Sequence, residues 1–248
     1  LDEVSLLKPG SILVSLMEPY KDRELIELIA KQNITCFALE LLPRITRAQT
    51  MDVLSSQSNL AGYKAVIEAS TAYGKAFPMM MTAAGTVPPA KCLVMGAGVA
   101  GLQAIATARR LGAVVSASDV RPAAKENVES LGAKFIAVED EEFKQAETSG
   151  GYAKEMSDEY KKKQADLIAA TAAKQDIIIC TALIPGKPAP VLVTPEMVDT
   201  MKPGSVIVDL AVEQGGNCPL SEPNKLVMRN GVKIIGCTNL ASRVAIDA

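Results

Sequence analysis

The stretch Cys92–Arg121, CLVMGAGVAGLQAIATARRLGAVVSASDVR, decides the fold. It opens on an apolar run of strand length and continues through Gly96-Ala97-Gly98-Val99-Ala100-Gly101 into a helical pattern that reaches Leu111. A second apolar run, Val114–Ser118, then closes on Asp119. The G-x-G-x-x-G spacing by itself also fits a plain tight turn. The strand before it, the helix after it and an acid about 20 residues on make it the unit that wraps a dinucleotide. In that reading Gly96 permits the turn, Gly98 lets a pyrophosphate approach the backbone, and Gly101 lets the helix pack close to the strand. Ala97, Val99 and Ala100 complete the loop, whose N–H groups and helix dipole face the phosphates. Asp119 would accept from the adenosine ribose hydroxyls, with Val120 and Arg121 beside it. Its charge repels a 2′-phosphate, which favours NAD over NADP. Arg121 either welcomes such a phosphate or is a solvated residue at a helix start.

Working outward, apolar runs recur at Cys92–Met95, Val114–Ser118, Lys134–Val138, Asp176–Cys180, Ser205–Leu210 and Lys233–Gly236. Helical patterns separate most of them, at Ala100–Leu111, Pro122–Leu131, Ser157–Ala173 and Pro195–Met201. Short apolar strands alternating with helices specify a doubly wound parallel sheet, a Rossmann domain of two mononucleotide halves. The opening segment differs: strand at Ser11–Met17, helix at Arg23–Gln32, strand at Ile34–Leu42, then a long helical stretch. Two strands and a helix bury too little to stand alone. The expected class is therefore α/β, a doubly wound parallel sheet with a partial second α/β domain. The divisions expected are 1–60 for the partial domain, 61–90 for a connecting helix and hinge, and 91–248 for the nucleotide domain. TAAGTVPPAK, 82–91, is the expected hinge, because paired prolines cannot continue a helix. The opening LDEVSLLKPG without a Met and the closing SRVAIDA lead us to expect an internal portion of a longer protein.

Composition narrows the function. Hydrophobic residues make up 48%, aromatics only 4%, and Trp is absent, so the core must be built from Ala, Val, Ile and Leu. The net charge of -2 gives no basic surplus, which argues against a nucleic-acid partner. Tyr160-Lys161-Lys162-Lys163-Gln164 reads as a solvated helix face. The five cysteines are scattered and lack C-x-x-C spacing, so neither a disulfide framework nor a metal site is expected. No apolar run approaches the length of a membrane span.

Four further runs carry candidate chemistry. PRITRAQTMDVLSSQSN, 43–59, contains Thr46-x-x-Gln49, a capping box at a helix start. Gln49, Asp52, Ser56 and Asn59 then recur at i, i+3, i+7 and i+10, a polar stripe behind Arg44 that is either solvated or faces a cleft. Thr181, Ala182 and Leu183 follow the fourth strand of the sheet, and Glu213 and Asn217 follow the fifth; both loops fall on the carboxyl edge where open sheets bind ligands. Gly150-Gly151-Tyr152 is either a surface connection or a lid that closes Tyr152 over a nucleotide.

Together PRITRAQTMDVLSSQSNLAGYKAV, TAAGTVPPAK, GAGVAGLQAIATARRLGA, GGYAKEMS, TALIPGKPAP and VIVDLAVEQGGN resemble the NAD(H)-binding first domain of the proton-translocating NAD(P) transhydrogenases, over essentially the whole chain. The resemblance implies hydride transfer from NADH on this domain to NADP+ on a separate NADP(H)-binding domain. A membrane domain of the same assembly would couple that exchange to proton movement. It implies that Arg44, Gln49, Asp52 and Ser55 border the nicotinamide, that Tyr152 is the mobile-loop tyrosine, and that the domain pairs as a homodimer. It places the protein in the cytoplasm beside the inner membrane, or on the matrix side in a mitochondrion.

The chain has no histidine, the usual acid–base residue of dehydrogenases. Transfer between two nicotinamide rings moves no substrate proton, so it needs positioning rather than an acid or base. Alanine dehydrogenase shares the fold and much of the pattern. That family uses a histidine near an early strand and an aspartate before QGG. Here the early strand reads LVSLMEPY, and Glu213 precedes Gln214-Gly215-Gly216. A nucleotide-sensing module without turnover is the third reading.

Overall fold

A computed structural model describes residues 2–43, 45–144, 156–184 and 186–248. The chain divides into two compact units, Leu1–Gln57 and Ser58–Ala248.

In the first unit, β1 (Ile12–Ser15) and β2 (Thr35–Ala38) pair in parallel, Ile12 opposite Thr35, with α1 (Arg23–Lys31) between them in the chain. Asp22 caps α1 by accepting from the Leu25 N–H at 2.9 Å. Val4, Met17, Ile29 and Ile34 form a small core against one face of the pair. On the other face Ile12, Val14 and Phe37 stay exposed. The expected strand Ile34–Leu42 is shorter than its apolar run because Leu39–Leu41 turns into a 3-10 helix. Glu40, in that turn, accepts from the Met17 and Glu18 N–H groups and so pulls the chain off the ladder.

The helix start is also placed differently. Thr46–Met51 is a 3-10 helix whose cap residue, Ile45, makes no side-chain cap bond, so Thr46 and Gln49 form no capping box. The α-helix proper, α2 (Val53–Tyr73), begins behind Asp52, which accepts from the Ser55 N–H at 3.0 Å and the Ser55 hydroxyl at 2.6 Å. A carboxylate at this position satisfies the orphan N–H groups better than a threonine and complements the helix dipole. The division between the two units falls within α2.

The second unit continues with the hairpin β3 (Met80–Thr82) and β4 (Gly85–Val87), then β5 (Lys91–Met95), α3 (Val99–Arg110), β6 (Val114–Ser118), α4 (Ala124–Ser130) and β7 (Lys134–Phe135). After α5 (Glu141–Lys144) come α6 (Asp158–Ala172), β8 (Ile177–Cys180), α7 (Pro195–Thr200), β9 (Val206–Asp209), β10 (Leu226–Arg229) and β11 (Val232–Gly236). Seven strands form one sheet in the order β10-β11-β9-β8-β5-β6-β7, parallel except for the β10 edge. The expected fold class holds. The seventh strand, β10, and the hairpin within the expected hinge are additions to it. The run expected to continue to Val138 leaves the sheet at Phe135, because the Gln164 amide oxygen takes the Val138 N–H at 2.8 Å.

Both faces of the sheet are covered, as its continuous apolar strands require. Cys92, Val94, Ile177, Ile179, Val206 and Val208 point to one face, with Ala65, Val66 and Ala69 of α2 and Ala104, Ile105 and Ala108 of α3. Leu93, Met95, Ile178, Cys180 and Ile207 point to the other, with Ile168 and Ala172 of α6 and Val198 of α7. Small residues dominate the helix side, so α2 and α3 approach closely. The ideal Cβ of a residue at 62 would lie 2.1 Å from the Ala100 carbonyl oxygen, so Gly62 is fixed by contact with the start of α3. No described helix is long and apolar enough to cross a membrane.

At an open helix position glycine to alanine stabilises by about 1 kcal/mol. At Gly62 the sign reverses: Gly62→Ala destabilises by about 1–3 kcal/mol, measured by urea unfolding.

Candidate nucleotide site at the carboxyl edge of the sheet

Strand register brings the candidate residues to one edge. Met95 pairs with Ser118 and with Cys180, Cys180 pairs with Asp209, and Asp209 pairs with Gly236. The loops that follow these strand ends therefore emerge side by side. The chain steps from β5 to β6 on one side and returns to β8 on the other, so the order reverses between β5 and β8. Ligands of open α/β sheets bind in the crevice at that switch.

The glycine loop occupies it. Gly96, at φ 99°, follows β5 and donates to the Ser118 carbonyl at 2.8 Å. An ideal Cβ at Gly96 would lie 2.9 Å from the Thr181 hydroxyl. One at Gly101 would lie 1.8 Å from the Gly96 carbonyl oxygen, so α3 can start here only on glycine. Gly98, the N-cap of α3, is different, since a Cβ there would meet nothing within 4 Å. Two glycines are sealed by protein and one faces open space. That is the steric pattern of a backbone approached by a ligand. Ala97 is buried, Val99 is exposed at the mouth, and Ala100 lies against Gly62.

Asp119 stands across the loop. Its carboxylate accepts from the Ala97 N–H at 2.7 Å and the Arg121 N–H at 2.9 Å. The Arg121 guanidinium forks onto the same group, Nε to Oδ1 at 2.9 Å and Nη2 to Oδ2 at 3.0 Å. Arg121 is thus an ion-pair partner of Asp119 rather than a solvated helix residue. Val120 between them is exposed, as are Leu183 and Ile184 beyond β8. Apolar side chains standing open at the rim of a polar crevice are the usual lining of a ligand site.

The next two loops are tied together. The Thr181 hydroxyl donates to the Gly96 carbonyl at 3.0 Å, fixing the fourth-strand loop to the glycine turn. Asn217 is fully buried, and its amide is spent on the chain. It accepts from the Ala182 N–H at 3.0 Å and donates to the carbonyls of Ala182 at 2.9 Å and Pro190 at 2.8 Å. Asn217 therefore turns inward and does not line the crevice. Glu213 is exposed in the 3-10 turn Val212–Gln214.

Sequence reasoning missed Asp209. It is wholly buried and accepts from the Ala211 N–H at 2.9 Å, the Cys218 N–H at 3.0 Å and the Ser221 hydroxyl at 2.7 Å. These bonds fold the 210–221 loop over the end of β9. The only signal was an acid at the end of an apolar strand, which is also the signal of Asp119. Burial pushes the Cys92 thiol up to about 12 and, with the charge of Asp209, raises Cys180 well above its ordinary value. Neither is a nucleophile.

Of the residues expected at the nicotinamide end, Gln49 is exposed in its 3-10 helix, while Asp52 and Ser55 are half-buried and bonded to one another. Ser56 and Asn59 are exposed on α2, and the Asn59 amide donates to Gln103 of α3 at 3.3 Å. The stripe therefore does not run along one α-helix, since Gln49 precedes its first turn. Arg44, Gly150, Gly151 and Tyr152 lie outside the described residues.

Two family models and several known proteins match the chain. Residues 65–248 match the family described as alanine dehydrogenase/PNT, C-terminal domain, and residues 1–61 match its N-terminal domain. The chain is 65% identical over 247 residues to an NAD(P) transhydrogenase subunit alpha polypeptide of Rhodospirillum rubrum, covering all of this chain and 64% of that protein. The transhydrogenase structure from Sinorhizobium meliloti superimposes with a TM-score of 0.89 at 61% identity, over 99% of this chain and 66% of that one. Alanine dehydrogenase of Methanococcus maripaludis is 30% identical over 218 residues, 87% of this chain and 52% of that protein. The chain thus spans less than two thirds of the length of these relatives.

Asn217→Ala strips a buried donor from two carbonyls and an acceptor from one N–H. We expect a loss of about 2 kcal/mol or more, read by denaturant unfolding, with secondary structure intact by circular dichroism.

Proposed function

Because the chain belongs to the alanine dehydrogenase/PNT family, we propose that it is the NAD(H)-binding component of a proton-translocating NAD(P) transhydrogenase. The observation that carries the reading is the glycine loop. Gly96 and Gly101 leave no room for a side chain, while Gly98 opens onto free space opposite the carboxylate of Asp119. This suits a dinucleotide whose pyrophosphate lies against the Gly98 backbone and the first turn of α3, with its adenosine ribose at Asp119. Val99, Val120 and Leu183 offer apolar surface to its rings. The transhydrogenase relatives, at more than twice the identity of the alanine dehydrogenase, support the assignment within the family.

The bound nicotinamide supplies the hydride chemistry, exchanged in this proposal with NADP(H) on a separate domain. What the chain contributes is position. The dipole of α3 holds the phosphates, Asp119 fixes the ribose and disfavours a 2′-phosphate, and the Asp209 and Asn217 bonds keep the neighbouring loops from drifting. No proton passes between a substrate and the protein, so the absence of histidine is no obstacle. Arg44, Gln49, Asp52, Ser55 and Tyr152 are proposed to orient the nicotinamide end. Proton translocation belongs to a membrane domain of the assembly, beside which this component sits at the membrane face. We assign a second copy of the chain as its partner. In support, the hairpin of β3 and β4 carries Met80, Met81 and Val87 exposed, with Met79 exposed just before it.

The test mixes the full-length protein with an isolated NADP(H)-binding domain and follows NADPH-dependent reduction of an NAD analogue of distinct absorbance. A parallel sample receives L-alanine and NAD+. Turnover only when both domains are present is expected; oxidation of L-alanine by the protein alone would overturn the assignment. NADH binding with neither reaction would identify a sensing module. Within the same protein, Gly98→Ala should cost no more than about 1 kcal/mol of stability. It should weaken NADH binding about tenfold or more, because its methyl group occupies the pyrophosphate's place.

A further inference from the structure

Of the run Tyr160-Lys161-Lys162-Lys163-Gln164, only the three lysines form the expected solvated face. Tyr160 and Gln164 lie one turn apart on α6 and turn inward; Tyr160 is 3% exposed. The Gln164 amide is used at both ends. Its oxygen accepts from the Val138 N–H at 2.8 Å, and its nitrogen donates to the Ser118 hydroxyl at 3.2 Å. Ser118 is buried and is the last residue of β6, directly before Asp119. On the β5 side Ser118 has a strand neighbour, Met95, and its carbonyl accepts from the Gly96 N–H at 2.8 Å. On the β7 side the register pairs Ser116 with Lys134 and Ala117 with Phe135, and stops there. The Gln164 amide is what links Ser118 to the chain beyond β7.

Building on the proposed nucleotide site, we infer that Gln164 is a positioning residue of the adenosine-ribose subsite. By holding Ser118 and Val138 together it fixes the end of β6, and with it the point from which the Asp119 carboxylate meets the ribose. A carboxamide suits the task because the groups it joins differ. The Val138 N–H needs an acceptor and the Ser118 oxygen takes a donor, and an amide carries one of each. A leucine would fill the space and leave both groups without a partner. The glycine loop has other supports, the Thr181 hydroxyl on the Gly96 carbonyl and the close contact at Gly101. Loss of the Gln164 link therefore falls on the ribose contact and spares the pyrophosphate's. A carboxylate set off its mark by a small shift loses about one ordinary hydrogen bond to the ribose, or about fivefold in affinity.

The experiment titrates NADH, and an NADH analogue lacking the adenosine ribose hydroxyls, by fluorescence into the full-length protein and its Gln164→Leu and Ser118→Ala variants. Both variants should raise the Kd for NADH about fivefold and leave that for the analogue unchanged. Ser118→Ala breaks the same bond from its other end with a smaller change of shape, and it decides the matter if Gln164→Leu does not fold. In an Asp119→Asn background, Gln164→Leu should weaken NADH no further, because the residue acts through that carboxylate. A merely structural role would weaken NADH and the analogue alike and would add to the loss in the Asp119→Asn background. Either result, or unchanged NADH binding in both single variants, overturns the positioning role. Failure of the wild type itself to bind NADH removes the nucleotide site and the role with it.

Discussion

The site depends on how closely α3 approaches the end of β5. The Gly96 carbonyl oxygen lies where a side chain at residue 101 would begin, 1.8 Å from the ideal Cβ position. Any larger residue there pushes the helix start away from the strand end, and the N–H groups of its first turn move with it. Close packing of α2 adds a second constraint from behind, through Gly62 against Ala100. The Thr181 hydroxyl, bonded to the Gly96 carbonyl, adds a third from the neighbouring loop. The anion-facing end of α3 is thus fixed by three short contacts to backbone rather than by long side chains. Backbone contacts of that kind hold a helix dipole to within the small tolerance that nucleotide positioning requires.

Much of this was legible because it rests on local rules. The G-x-G-x-x-G spacing, the acid closing β6 and the strand–helix alternation are written in consecutive residues, and the fold class follows from them. What was not legible depended on partners far off in the chain. The shortness of β7 is decided by Gln164, which takes an N–H from Val138. The true cap of α2 is Asp52 rather than Thr46 because the intervening residues, Thr46–Met51, wind as a 3-10 turn. One miss was avoidable. Asn230 at φ 49° and Gly231 at φ 78° join β10 to β11, and Asn-Gly between two apolar runs is the strongest short hairpin signal a sequence gives. The run before it, Leu226-Val227-Met228, is apolar but short, and its half-exposed place at the edge of the sheet shows only in the structure.

The inward turn of Asn217 shows the limit more sharply. A polar residue beyond a parallel strand falls on the ligand-binding edge, and nothing in the sequence says whether its amide faces ligand or chain. Here the 181–190 loop carries an N–H and two carbonyls that the sheet leaves unpaired, and Asn217 matches all three. Buried polar groups must be satisfied. The loop's own need therefore claimed the side chain before any ligand could.

The two strand-end aspartates carry the same argument further. Asp119, just after β6, and Asp209, the last residue of β9, both stand at the carboxyl edge of the sheet, where the register brings the strand ends level, and both accept several N–H or O–H donors. Their fates differ by what donates. Asp209 is held by two backbone N–H groups and by the Ser221 hydroxyl, whose oxygen also lies 2.7 Å from the Cys218 carbonyl oxygen, all within a closed loop, and its carboxylate has no exposed surface. Withdrawing any of those donors would leave part of a buried carboxylate unsatisfied, at a cost of about 1–3 kcal/mol or more. Asp119 accepts instead from two backbone N–H groups and from the Arg121 guanidinium, whose side chain is 32% exposed. Whether a strand-end carboxylate is sealed within a loop or left beside solvent is set by the groups that donate to it, and that property belongs to the neighbours rather than to the aspartate.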